Sequence, residues 1–209
     1  MIDKIKILLL ILVLMSSSWI VLSQEILHYE NGSIKSKGSL DQGKKEGEWN
    51  FYYPTGILSS IETYRSGQLN GKAQTFYPNS IKKDEEYWKN GLLEDSSFYY
   101  YENGILSKKG IYQAGLYEAE WYYYFVNGDL KRTGFYQSGL PHGNWRIYNE
   151  KGFLIQEGDY EMGLKSGLWK YFDDDGRLHY EGNYVGGKEI GNWFVFNKKG
   201  KRKLFKRYD

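Results

Sequence analysis

The sequence predicts an all-β chain: an elongated array of antiparallel β-hairpins with a 24-residue period, forming one twisted sheet behind an N-terminal signal segment. Three observations lead there. Gly43, Gly67, Gly91, Gly115, Gly139, Gly163 and Gly187 are each 24 residues apart, and Gly32, Gly56, Gly104, Gly128, Gly152, Gly176 and Gly200 make a second series in which Ser80 fills the one gap. Between the glycines, aromatic residues keep to columns: Trp49, Trp121, Trp145, Trp169 and Trp193 in one, with Ala73 and Ser97 as departures, and Tyr64, Trp88, Tyr112, Tyr136, Tyr160, Tyr184 and Tyr208 in another. No stretch after residue 25 shows sustained helical spacing. A repeat of this length signals a stack in which each unit needs its neighbours to complete a core.

The chain begins with Lys4 and Lys6 ahead of an apolar run from Ile7 to Met15, followed by three serines and Trp19 to Ser23. A basic start, an apolar centre and small residues near the end describe an export signal over residues 1–23, with a cut before Gln24. The alternative is an uncleaved N-terminal membrane anchor. The unbroken run is short against the roughly 18 apolar residues that span a bilayer, so the first reading stands ahead. Residues 24–209 are then the repeat domain, of about eight units, exported to the periplasm, cell envelope or medium.

The first unit, Glu25 to Gly43, lacks its tryptophan and reads as a cap. From Gly47 each unit parses as a strand (Trp49 to Tyr53), a turn closing at Gly56, a longer strand (Ile57 to Tyr64) and a turn through Gly67 to Gly71. In the longer strand Leu58, Glu62 and Tyr64 share a face, and later copies put Gly110, Gly134, Gly158 and Gly182 at the middle position. A glycine there leaves a hole on an aromatic face, and a ring from the adjacent strand is the expected filler. The tryptophan column and the Tyr52 column lie three apart, so strict alternation sends them to opposite faces. Either a bulge or corner after Gly47 turns the tryptophan inward, or an aromatic row lies on the wetter side.

Tyr180-Glu181-Gly182-Asn183-Tyr184, followed by Gly187-Lys188 and Gly191-Asn192-Trp193, resembles the MORN-repeat variant family, whose bacterial members are often labelled YwqK-type antitoxins of toxin–antitoxin systems. The resemblance runs over nearly everything after residue 25, with Ala73, Ser80, Asp95 and Ser97 where glycine or tryptophan is expected. It implies a scaffold, and as one possible task the neutralisation of a partner toxin. The signal segment weighs against that task, because antitoxins of the usual kind act on cytoplasmic toxins.

Composition narrows the classes further. The formal net charge is +2, of which residues 1–23 carry +1, so the body has no general attraction for nucleic acid. Without cysteine there is no disulfide and no thiol nucleophile. His28, His142 and His179 fall in unrelated columns, and Asp173-Asp174-Asp175-Gly176 coincides with a hairpin turn rather than a calcium loop. No catalytic constellation stands out, so a non-catalytic chain without metal or cofactor is expected.

Two binding surfaces are predicted. Tyr53, Tyr77, Tyr99, Tyr101, Tyr123 and Phe125 concentrate aromatic area in the central units and are the expected contacts for a protein or cell-envelope partner; the alternative is that these rings bury against the array itself. Lys198, Lys199, Lys201, Arg202, Lys203, Lys206 and Arg207 could contact an anionic membrane surface, although cations on a terminal strand also prevent unwanted edge pairing.

Overall fold

The computed structural model describes residues 22–209, so the expected signal lies almost wholly outside the described residues. Sixteen antiparallel strands form one open sheet in simple chain order, each bonded to the strands before and after it. The odd strands are β1 (Ser23–His28), β3 (Lys44–Tyr52), β5 (Gln68–Phe76), β7 (Leu92–Tyr100), β9 (Leu116–Tyr124), β11 (Leu140–Tyr148), β13 (Leu164–Phe172) and β15 (Lys188–Phe196). Between them lie β2 (Ile34–Asp41), β4 (Leu58–Arg65), β6 (Lys82–Lys89), β8 (Leu106–Gln113), β10 (Leu130–Gln137), β12 (Leu154–Glu161), β14 (Leu178–Val185) and β16 (Arg202–Tyr208). At the usual spacing between strands such a sheet is about 75 Å across.

Two kinds of tight turn alternate. After each even strand from β2 to β14 two consecutive residues take positive φ, as at Ser66 (50°) and Gly67 (85°) or Ala114 (49°) and Gly115 (82°), the geometry whose twist matches that of flanking strands. The longer turn expected through Gly67 to Gly71 is therefore only two residues long, and β5 starts at Gln68. After each odd strand the loop is closed by backbone bonds such as Tyr53 N–H to the Ile57 carbonyl and Gly56 N–H to the Tyr53 carbonyl, both 2.8 Å. Ser80, in the gap of the glycine series, keeps the left-handed backbone at φ 67°.

A bulge in each of the odd strands β3 to β15 decides where the tryptophans go. Between β4 and β5, Glu62 faces Ala73 and Tyr64 faces Leu69, so two residues of one strand match four of the other. The pivot column, Gly47, Gly71, Asp95, Ala119, Gly143, Gly167 and Gly191, has φ between 58° and 123° throughout. The bulge shifts the alternation, and the tryptophans join the face of the Tyr64 column, the first of the two arrangements the sequence allows.

That inner face holds the core. Trp49, Trp121, Trp145, Trp169 and Trp193 are all buried, and each ring lies over a glycine of the preceding strand: Gly38, Gly110, Gly134, Gly158 and Gly182. A methyl group at any of these glycines would overlap the indole. The indole N–H of Trp49, Trp121, Trp145 and Trp169 donates to a backbone carbonyl of the strand before it, at 2.9–3.1 Å. Tyrosines stand edge-on between the tryptophans, with centroids 5.2 Å apart for Tyr136–Trp145 and Trp145–Tyr160 and 5.0 Å for Tyr160–Trp169. Such edge-to-face contacts add about 0.5–1.5 kcal/mol each beyond the area they bury. Among the described residues no second layer covers this face; Lys45, Lys108, Arg132 and Lys165 lie across the rings instead, their cations 4–6 Å from the centroids.

Two units solve the same packing problem differently. Where Ala73 and Ser97 replace tryptophan, Glu62 and Glu86 replace the facing glycine, so the large side chain has moved to the other strand. The Ser60 hydroxyl (2.9 Å) and the Tyr64 hydroxyl (2.5 Å) donate to the Glu62 carboxylate, and the Tyr99 hydroxyl donates to Glu86 at 2.7 Å. Carboxylates can thus occupy a largely aromatic face because hydroxyls satisfy them.

Candidate functional site

The six aromatic residues expected to bind a partner occupy two separate places. Tyr53, Tyr77, Tyr101 and Phe125 follow β3, β5, β7 and β9 on the rim of the sheet, whereas Tyr99 and Tyr123 lie on its inner face. On the rim, the hydroxyls of Tyr29, Tyr53, Tyr77 and Tyr101 each donate to the backbone carbonyl 23 residues ahead, at 2.7–2.8 Å. Each bond fastens one unit to the next. Where this column becomes Asn149, Asp173 and Asn197, the side chain caps its own turn; Asp173 accepts from the N–H groups of Asp175 and Arg177. The backbone donors at Arg177 and Asp175 hold the Asp173 carboxyl below its usual range, so the acidic run is turn chemistry.

On the inner face Tyr99 lies 4.0 Å beneath the Lys108 ammonium and Tyr123 lies 3.9 Å beneath the Arg132 guanidinium. Burial, followed by the bond to Glu86, raises the Tyr99 hydroxyl well above its ordinary pKa; burial and the neighbouring Tyr136 hydroxyl raise that of Tyr123. Both stay protonated. Of the basic terminal residues, Arg202 packs against the Phe194 ring at 4.0 Å and lies 3.9 Å from Glu181, and Lys206 lies 4.2 Å over Tyr208. Lys198, Lys199, Lys201, Lys203 and Arg207 are exposed and form no ion pair with a described residue.

The outer face carries a surface that simple alternation missed. One column across the even strands reads Ser39, Thr63, Tyr87, Ile111, Phe135, Asp159, Asn183 and Arg207: polar at both ends and apolar in three central strands. Tyr87, Ile111 and Phe135 are 37–40% exposed although they are large and apolar. The column beside it on the odd strands reads Asn50, Gln74, Phe98, Tyr122, Arg146, Lys170 and Phe194, aromatic in two central strands and again at β15, where the Arg202 guanidinium lies over Phe194. Phe98, Ile111 and Tyr122 line a shallow depression of about 320 Å³ together with Lys109 and Glu120.

Charge frames this patch on both sides. Toward the N-terminal end, Glu85 bonds Lys82 at 2.6 Å, Lys72 at 3.0 Å and Gln74 at 2.8 Å. Burial alone would raise the Glu85 carboxyl, but these donors outweigh it and bring the pKa down to about 2. Toward the C-terminal end, Glu157 lies 3.1 Å from Lys170 and 3.9 Å from Arg146. The bulge column hid the outward direction of Phe98 and Tyr122 on the odd strands, whereas Tyr87, Ile111 and Phe135 lie on even strands, where alternation already points them away from the Tyr64 column. Aligning the 24-residue columns and following each across the strands would have revealed the patch.

No curated protein matches this chain. Among solved structures, a chain of the "Crystal Structure of TcdB2-TccC3-Cdc42" is similar at 11% identity and a TM-score of 0.20, over 87% of this chain and 14% of that one, a likeness too slight to carry an argument. The family described as MORN repeat variant matches residues 45–66 and 165–185, which fall in β3–β4 and β13–β14. Two of the hairpin units thus match the MORN repeat variant, and the same 24-residue backbone pattern runs through the units between them.

Proposed function

We propose that this chain is a non-catalytic, exported scaffold that binds another protein through the outer face of its central units. A repeated β-array fits a binding role, and the framed apolar patch of Tyr87, Phe98, Ile111, Tyr122 and Phe135 is the observation that carries this particular one. An apolar centre with a charged rim is the usual anatomy of a protein–protein interface. Its partner would present a complementary apolar knob flanked by both signs of charge. A toxin is one such partner that the family resemblance suggests. Export rests on the basic start and apolar run of residues 4–15.

The test is crosslinking in native cells followed by binding measurements with the partner so captured. Ile111→Asp combined with Phe135→Ser should weaken binding at least tenfold, as central apolar contacts do, and leave the melting temperature nearly unchanged because neither side chain belongs to the inner core. Undiminished binding by a folded double variant would refute the assignment.

A further inference from the structure

Among the described residues the open sheet ends in two strands, β1 and β16, each bonded on one side only, and the residues left over at those edges complement one another. Across the array each position of the glycine column faces a position of the tryptophan column in the next strand: Gly38 with Trp49, Glu62 with Ala73, Gly110 with Trp121, and so on to Gly182 with Trp193. Within every pair one side chain is large and the other small or absent. Two positions lack that partner among the described residues, each at the open edge of its strand. Lys206 on β16 is the last of the glycine column, and Glu25 on β1 is the first of the tryptophan column.

We propose that copies of this chain associate head to tail, β1 of one copy adding to β16 of another in the array's own register. Carrying the β14–β15 register forward by one unit, and the β1 numbering by eight, sets Lys206 beside Glu25, Phe205 opposite Ile26 and Leu204 opposite Leu27. The first pair is opposite in charge, and neither Lys206 nor Glu25 makes an ion pair with a described residue of its own chain. The other four are large apolar side chains 46–58% exposed on the two end strands. Edge strands with exposed apolar residues are templates for pairing.

The cations of β16 select the partner. A second β16 would set Arg202, Lys203, Lys206 and Arg207 against the same four charges, whereas β1 offers Glu25 and no basic side chain other than His28. The charge therefore blocks tail-to-tail pairing and admits head-to-tail pairing. β16 also differs from the even strands before it: its irregular residue is Phe205, two places beyond Lys203, the position matching Lys35 in β2 and His179 in β14. Adding a neighbouring strand returns the irregularity to the common place, because β2 to β14, each paired on both sides, all hold it there. Because such contacts do not close on themselves, the product is an open chain of copies.

Light scattering and sedimentation velocity over a range of protein concentrations test this with the full chain, using Glu25→Lys, Lys206→Glu and the double variant. Wild type should form a concentration-dependent ladder of oligomers that shortens as salt is raised. Each single reversal should weaken association by roughly tenfold, and the double variant should restore it. An equimolar mixture of the two single variants should also assemble, because each then supplies the charge the other lacks. Circular dichroism identifies any variant that fails to fold; where one single reversal does, the other single reversal and the concentration and salt dependence of the wild type decide. A monomeric wild type at every concentration, or single reversals that associate like wild type, would overturn the proposal. Loss of partner binding in the Ile111/Phe135 variant tests a different face and does not bear on it.

Discussion

Units built on Gly158–Trp169 and Gly182–Trp193 and units built on Glu62–Ala73 and Glu86–Ser97 share one backbone but fill it in opposite ways. In the first group an indole from the odd strand covers bare backbone, and the nearby tyrosines stack edge-on against it. In the second the bulk comes from the even strand as a carboxylate held by hydroxyls. The Asp95 and Gly71 backbones nevertheless keep the same left-handed pivot as Gly167 and Gly191. The difference teaches that bulge and turn geometry define the repeat, while the column contents need only sum to one filled space. It also concentrates aromatic burial in the C-terminal half, where Trp169, Tyr184 and Trp193 form a common cluster.

The sharpest way to break this comparison is to remove the filler on each side. Trp169→Ala should cost about 3–5 kcal/mol, the usual range for deleting a buried aromatic, whereas Glu62→Ala should cost only about 1–3 kcal/mol, from leaving the Ser60 and Tyr64 hydroxyls without their acceptor. Urea titrations of both variants measure the difference. Equal losses would mean that the two halves are not held by different chemistry.

A smaller effect comes from the rim of the outer patch. The Glu85 carboxyl is lowered from 4.5 to about 2 by its three donors once they overcome burial, so in the folded state it stays ionised to lower pH than in the unfolded chain. Its contribution is complete above pH 4.5 and disappears as pH falls through 2. Glu85→Gln should flatten the fall in stability between those values, its loss being fullest at neutral pH, where both ion pairs are made, and vanishing near pH 2. An unaltered acid limb for the variant would show that Glu85 is not held as described.

Most of the architecture was legible because the columns are chemical. Gly182 between Leu178 and Tyr184 announced a hole, and the ring of Trp193 fills it. What could not be read was conformational. Nothing in the residue type of Ala119 marks a left-handed backbone, yet it takes the pivot that glycine takes elsewhere, at φ 58°, as Asp95 does at 64°. Without that pivot the parity of each odd strand is wrong on one side. The columns left Tyr53 and Tyr101 either as partner contacts or as rings buried against the array; their hydroxyls fasten consecutive units, and Phe98 and Ile111, on neighbouring strands, line one depression. The salt-bridged rims were equally out of reach, since Glu85 and Lys72 come together only across strands.

A double-mutant cycle at the first compensated pair tests the central claim, that each glycine-column position and the tryptophan-column position beside it share one volume. Ala73→Trp alone should lower stability by about 1–3 kcal/mol, since Glu62 already fills the space. Adding Glu62→Gly should recover most of that loss, giving a coupling between the two sites of roughly 1 kcal/mol or more. If the two substitutions simply add, the positions do not share a space and the account of the repeat is wrong.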